Sequence, residues 1–211
     1  MHIYAFGSIC RGEIYPNSDV DLLVIGGGDA AQYDPDVYSI YSYERIEELW
    51  REGNPFAWHL SLESRLLFSS DKQDFLQSLG KPTPYTCCAR DCEKFFSLFR
   101  DARASLARGG ASKVFDLSTI FLSIRNIATC FSLGVTIRPD FSRSSALRLG
   151  TNCVPLSQAS YQVLERARVL CTRGYGSKIT DEEFDTASRE LSGVYDWMRG
   201  LVERAKEHER V

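Results

Sequence analysis

Gly7-Ser8-Ile9-Cys10-Arg11-Gly12-Glu13, then four residues, then Ser18-Asp19-Val20-Asp21-Leu22-Leu23-Val24, is the stretch on which the reading of this chain turns. His2 to Phe6 before it reads as a short strand that breaks at Gly7-Ser8. Asp19 to Ile25 reads as a second strand, rich in branched apolar residues and closed by Gly26, Gly27 and Gly28. Side chains alternate across a strand, so Asp19 and Asp21 point the same way. Two carboxylates on one face beside Val20, Leu22 and Val24 are costly unless something positive lies between them. Magnesium fills that role, since it prefers hard oxygen ligands and keeps water and phosphate oxygens in its other positions. Gly7 permits close backbone approach, and amide hydrogens after it can cradle phosphate oxygens. Arg11, one helical turn past Ser8, can hold a terminal phosphate with a forked pair of hydrogen bonds. Together these pieces suit binding of a triphosphate, placement of a metal on it, and stabilisation of charge during transfer.

Working outward, Val37 to Ser42 is a candidate third strand, and Tyr43 to Arg51 a short helix with Ile46, Leu49 and Trp50 on one face. Phe56 to Phe68 is apolar and aromatic, and either strand-rich or a bent strand–helix segment. Asp71 to Leu79 reads as a helix stopped by Gly80. Lys81-Pro82-Thr83-Pro84 marks a connection, dividing the chain into residues 1–82 and 83–211. Beyond it the expected helices are Thr86 to Ala107, ending at Gly109-Gly110, then Lys113 to Leu133, Gln158 to Cys171, and a last one opened by the capping box Thr180-Asp181-Glu182-Glu183. The charged tail from Glu203 is expected to fray. The fold class is therefore α+β: an N-terminal part of mixed α and β, followed by an all-α bundle.

The bulk numbers are those of a globular chain: 211 residues, 44% hydrophobic and 25% charged. No apolar run is read as reaching the ~18 residues of a membrane span. No signal peptide is read at the N-terminus, so a cytoplasmic protein is expected. The net charge of −3 argues against broad nucleic-acid binding. Seven cysteines are an odd number with no C-x-x-C pair, which fits reduced thiols. Cys87, Cys88 and Cys92 read as small apolar residues on a helix sooner than as a zinc site.

Gly7-Ser8, ten residues, then Asp19-x-Asp21 resembles the G-S-x10-D-x-D motif of the DNA polymerase β-like nucleotidyltransferase superfamily. The surrounding text is similar to minimal nucleotidyltransferases. The layout from Val37 to Phe68, with a helical part after it, is similar to kanamycin nucleotidyltransferases. The resemblance implies a polymerase β-like N-terminal domain that binds Mg2+ and ATP or another nucleoside triphosphate. It implies transfer of a nucleotidyl group, AMP in the first instance, to a hydroxyl of a small molecule or a protein. Asp19 and Asp21 would hold the metal; Gly7, Ser8, Arg11 and Ser18 would hold the nucleotide. No membrane partner is implied, and monomer and homodimer both stay open.

The family's third carboxylate falls on the strand after D-x-D, where the residue aligned here is Tyr38. Asp36 or Glu63 could stand in for it, and Glu63, following Leu62 in an apolar stretch, is the candidate third catalytic residue. A chain lacking that carboxylate would instead be a weakly active or inactive nucleotide-binding module of regulatory or antitoxin type. His59 reads as a core or edge residue sooner than a base. Arg125, inside the apolar run Ile120 to Ala128, must either be paired or face a groove. Arg138, Arg143 and Arg148 read as a solvated loop sooner than a phosphate patch. HEPN domains are helical partners of minimal nucleotidyltransferases; their R-x4–6-H ribonuclease motif has no counterpart after Arg125.

Overall fold

The computed structural model of the protein describes residues 1–13, 20–109, 112–136 and 139–210. Ser18, Asp19, Gly110 and Arg138, singled out above, lie outside them. The chain forms two compact units, Met1–Thr86 and Cys87–Val211.

The first unit is a four-stranded mixed sheet with helices on it. Its strands are β1 (His2–Phe6), β2 (Asp21–Ile25), β3 (Tyr38–Tyr41) and β4 (Ser64–Ser69), in spatial order β3-β2-β1-β4. β1 runs antiparallel to both β2 and β4, while β2 and β3 are parallel. Pairing sets His2 against Ile25, Tyr4 against Leu23 and Phe6 against Asp21, so these six share one face. Tyr4, Phe6, Leu23 and Ile25 form the core with Ile46, Leu49 and Trp50 of α1 (Tyr43–Arg51), Ala57 and Leu60 of α2 (Pro55–Glu63), and Leu76 of α3 (Phe75–Ser78).

Local chemistry explains these elements. Ser42 caps α1 by accepting from the Arg45 amide, and Asn54 caps α2 by accepting from Phe56, with Pro55 preset at the first helical position. The ambiguous stretch from Phe56 to Phe68 resolves as helix first and strand second, breaking at Ser64, whose backbone is extended. The helix expected from Asp71 is shortened to four residues. Asp71 Oδ1 accepts from Ser69 Oγ at 2.7 Å and from the Gln73 amide at 3.0 Å, and Lys72 takes φ 64°. That local turn competes with the helix until Asp74 caps it.

Buried His2 fastens this turn to the sheet. Its Nδ1 lies 2.9 Å from the Tyr43 hydroxyl, and its Nε2 lies 3.1 Å from the Gln73 carbonyl and 3.2 Å from Asp71. Residues 81–84 are laced to the first unit as well. The Thr83 hydroxyl donates to the Trp50 and Arg51 carbonyls at 2.7 Å, and Trp58 Nε1 donates to the Thr83 carbonyl at 3.0 Å. The two units accordingly divide at Thr86/Cys87, beyond the prolines.

The second unit is built on α4 (Cys88–Ala107), α5 (Lys113–Gly134), α6 (Gln158–Arg173) and α7 (Asp181–His208). Each helix packs on the next, and α7 returns to α4. Helix α5 corrects one expectation from sequence: by length and composition it is apolar enough to cross a membrane. It is a core helix here, with 67% of its most apolar window buried. Its polar residues are accommodated. Buried Asp116 accepts from Ser105 Oγ at 2.9 Å, and Arg125 donates to the Phe141 carbonyl at 2.7 Å and the Ser142 carbonyl at 3.4 Å. Arg125 thereby clamps the loop after α5, a role neither sequence reading named. Arg148 pairs with Asp140 at 2.9 Å in the same loop.

Buried Cys88, Cys92 and Cys130 sit where α4 meets α5, with Cys88 Sγ 3.9 Å from Cys92 Sγ. The hydrogen bond with Cys88, then burial, push the Cys92 thiol up. The tail does not fray at Glu203. α7 runs on to His208 because Glu209 Oε1 accepts from the Ala89 amide at 2.8 Å, capping the start of α4, and Lys206 pairs with Glu93 at 2.8 Å.

Candidate functional site

The site collects at the end of the sheet where three strands finish together. Phe6, the last residue of β1, pairs with Asp21 on one side and Ser64 on the other. Asp21 opens β2, and Glu63 immediately precedes β4. The chain leaves β1 through a 3-10 turn, Gly7–Arg11, not through an α-helix. At three residues per turn, Arg11 comes round above Ser8. Gly12 closes the turn at φ 73°, with the Gly12 amide on the Ile9 carbonyl at 3.1 Å and the Glu13 amide on the Ser8 carbonyl at 3.0 Å.

Gly7 has φ +75°, in the left-handed region. A Cβ placed on it would come 2.7 Å from Asp21 Oδ2, inside the limit that real Cβ atoms keep. The bend therefore requires glycine on two counts: backbone conformation, and the carboxylate lying against it. Sequence spacing predicted both residues, and the structure brings them into contact.

Arg11 is the cation of the bend. Its Nε and Nη2 reach Glu13 Oε2 at 3.0 and 2.9 Å, and its Nη1 donates to Glu63 Oε2. Burial works to lower the guanidinium pKa, and the Glu13 and Glu63 carboxylates more than offset it, so the pKa rises. His59 Nε2 lies 3.0 Å from Glu63 Oε2, one helical turn away on α2. The His59 ring also packs edge-on against Phe6 at 5.7 Å. Glu63, Arg11 and His59 are all largely buried, their side chains 15%, 18% and 14% exposed. Burial pushes the neighbouring Cys10 thiol up, and its Sγ donates to the Ala5 carbonyl at 3.4 Å.

Glu63, read from the sequence as a candidate third catalytic carboxylate, stands beside the bend with Arg11 and His59 on its carboxylate. Asp36 is exposed in the turn before β3, its amide donating to Asp34 Oδ1 at 2.9 Å. Tyr38 pairs with Leu22, and so lies on the opposite face from Asp21. Extending the parallel register by one step puts Val37, 54% exposed, beside Asp21. Sequence reasoning gave Glu13 no role and read His59 as a core or edge residue; it did not foresee either one's place beside Arg11 and Glu63. The His59–Glu63 spacing of four is a helical signal, legible only once residues 55–63 are known to be a helix.

Asp21 brings carboxylate oxygens, donors of the kind a hard divalent cation takes, against the Gly7 bend. Among the described residues no three His, Cys, Asp or Glu side chains converge on one point.

Residues 2–80 match the family model described as nucleotidyltransferase domain. The match spans the sheet, the Gly7–Arg11 turn, Asp21 and Glu63. The N-terminal unit is a nucleotidyltransferase domain of the DNA polymerase β-like superfamily, followed by helices, as the motif implied. Nucleotidyl transfer from a nucleoside triphosphate is the general chemistry of such domains. No curated protein matches the chain.

Proposed function

We propose that the protein transfers a nucleotidyl group, AMP from ATP, to a hydroxyl of a small molecule or protein in the cytoplasm, releasing pyrophosphate. The observation that carries this reading is the contact between Gly7 and the Asp21 carboxylate. It supports a triphosphate lying in the bend with a cation between it and the acid. Asp21, with Asp19 from the same motif, would hold Mg2+. The bound cation would withdraw charge from the phosphate oxygens as pyrophosphate leaves. Gly7 and Ser8 present backbone to the phosphates, Ser18 adds a hydroxyl, and Arg11 offers a guanidinium to a terminal phosphate. Glu63 acts on the reaction from behind Arg11.

The test is pyrophosphate release from ATP and Mg2+ across a panel of hydroxyl acceptors. Asp21→Ala should lower release by at least about a hundredfold, the scale of losing one well-placed charge-stabilising group, with the melting temperature little changed. Turnover in Asp21→Ala equal to the parent would rule out the metal site.

One observation favours a second reading, a nucleotide-binding regulatory module with little turnover. The residue just before β3, Val37, carries no carboxylate, and Glu63 already holds Arg11 and His59. Tight binding of ATP and Mg2+ without pyrophosphate release from any acceptor would favour it.

A further inference from the structure

We propose that Glu13 occupies the place of a substrate phosphate on Arg11, while Glu63 is the positioning residue that keeps Arg11 aimed at the bend. The inference deepens the proposed function and rests on Arg11 as a phosphate-holding residue.

The argument starts from the donors of one guanidinium. Arginine presents five N–H groups in a planar fork matched to carboxylates and phosphates alike. In this structure Nε and Nη2, the pair that forms a bidentate edge, both point to Glu13 Oε2. Nη1 points to Glu63. Both edges of the fork that a triphosphate could use are therefore engaged by acids of the protein itself. A phosphate can bind Arg11 in the forked manner only by displacing one of them.

The two acids differ in burial and in the elements that carry them. Glu63 ends α2 and is followed at once by β4, so ordered backbone fixes it on both sides. Its side chain is 15% exposed, and His59 Nε2 lies 3.0 Å from the same Oε2 that meets Arg11. Moving Glu63 would separate it from two cation-capable partners in a largely buried setting. Glu13 follows Gly12 at the end of the 3-10 turn, and its side chain is 27% exposed. It can turn toward solvent and keep its charge hydrated. Glu13 therefore yields and Glu63 stays, so the phosphate takes the Nε–Nη2 edge while Nη1 remains anchored. Repulsion between phosphate and Glu13 then completes the exchange, and the resting site carries its own competitor.

Isothermal titration of the full chain with magnesium tripolyphosphate reads this directly, because the probe has no base or sugar. Glu13→Gln should bind about two- to fivefold tighter, the scale of a partly exposed ion pair. Glu63→Gln should bind about threefold or more weaker at a temperature well below its own unfolding transition, with Glu63→Ala weaker still. Arg11→Ala should lose on the order of tenfold in affinity. In the Arg11→Ala background Glu13→Gln and Glu63→Gln should each have no effect, a coupling that a merely structural role would not produce. Should Arg11→Ala weaken binding while Glu13→Gln binds no tighter than the parent, the competitor role is overturned. Should Glu63→Gln bind as tightly as the parent, the positioning role is overturned. An Arg11→Ala protein that binds like the parent instead removes the phosphate-holding role beneath both.

Discussion

Gly7 shows most clearly how one residue carries both conformation and chemistry. Its φ of +75° costs any L-residue about 1 kcal/mol or more, and an added methyl would meet the Asp21 carboxylate. Gly7→Ala is therefore expected to lower unfolding free energy by about 1–3 kcal/mol and to weaken binding of magnesium ATP at least tenfold. Denaturant unfolding and titration check the two halves separately. At this scale the site was largely legible in the sequence. The Gly-Ser pair and the D-x-D spacing named Gly7, Ser8, Arg11 and Asp21, because backbone freedom and carboxylate alternation are properties of residue type and spacing. The ion pairs of Glu13 and His59 were not legible, because they depend on a side chain returning across the bend and on a helix whose period was masked by apolar neighbours. Tyr38, the position aligned with the family's third carboxylate, pairs with Leu22 on the face opposite Asp21; alternation gives relative facing within one strand, and only the β2–β3 register relates the two strands.

Among elements, those with explicit caps were read best. The capping box at Thr180 sits where it was expected, and Ser42, read as the end of a strand, caps α1 instead. Thr180→Ala should cost about 1 kcal/mol, measured as a lower denaturation midpoint at unchanged slope. The elements misread were those decided by a competing local bond. Asp71 diverts its segment into a turn, and hydrogen bonds from Ser69 and the Gln73 amide, with His2 nearby, hold its carboxyl from the ordinary 3.8 down to about 2. The unfolded chain therefore binds this proton first as pH falls, and the stability Asp71 contributes is present above pH 3.8 and lost on the way to pH 2. Asp71→Asn should flatten the acid limb of the stability curve in that window, as followed by thermal melts from pH 5 to pH 2. The persistence of α7 past Glu203 was hidden because its cause, Glu209 on the Ala89 amide, is a contact across most of the helical unit's sequence.

For the whole chain, a net charge of −3 conceals a segregation. Residues 1–86 contain six Lys and Arg against thirteen Asp and Glu, and residues 87–211 contain nineteen against fifteen. The nucleotidyltransferase unit thus has a net charge of −7, yet the proposed substrate is itself a polyanion. Coulomb repulsion at that charge disfavours the free nucleotide, and one arginine already engaged by two acids offsets little of it. Chelating magnesium is therefore expected to abolish measurable ATP binding, not merely turnover; titration of the parent with and without EDTA checks this, and equal affinity in both would contradict the role given to the cation. The architecture, an α and β part followed by a helical bundle, was readable from periodicity, and the mixed sheet only from the motif's family resemblance. Which acids cluster and which helices close on one another was not, because those depend on packing between segments remote in sequence.

The contact of Glu209 with Ala89 also has a geometric meaning. It brings the entrance and exit of the helical unit to a single point, so the bundle is a loop in space as well as a segment of chain. A piece of protein with adjoining ends can be spliced into an exposed turn of an unrelated host without prising that turn apart, and can be reopened between two of its own helices once a short peptide bridges the original ends.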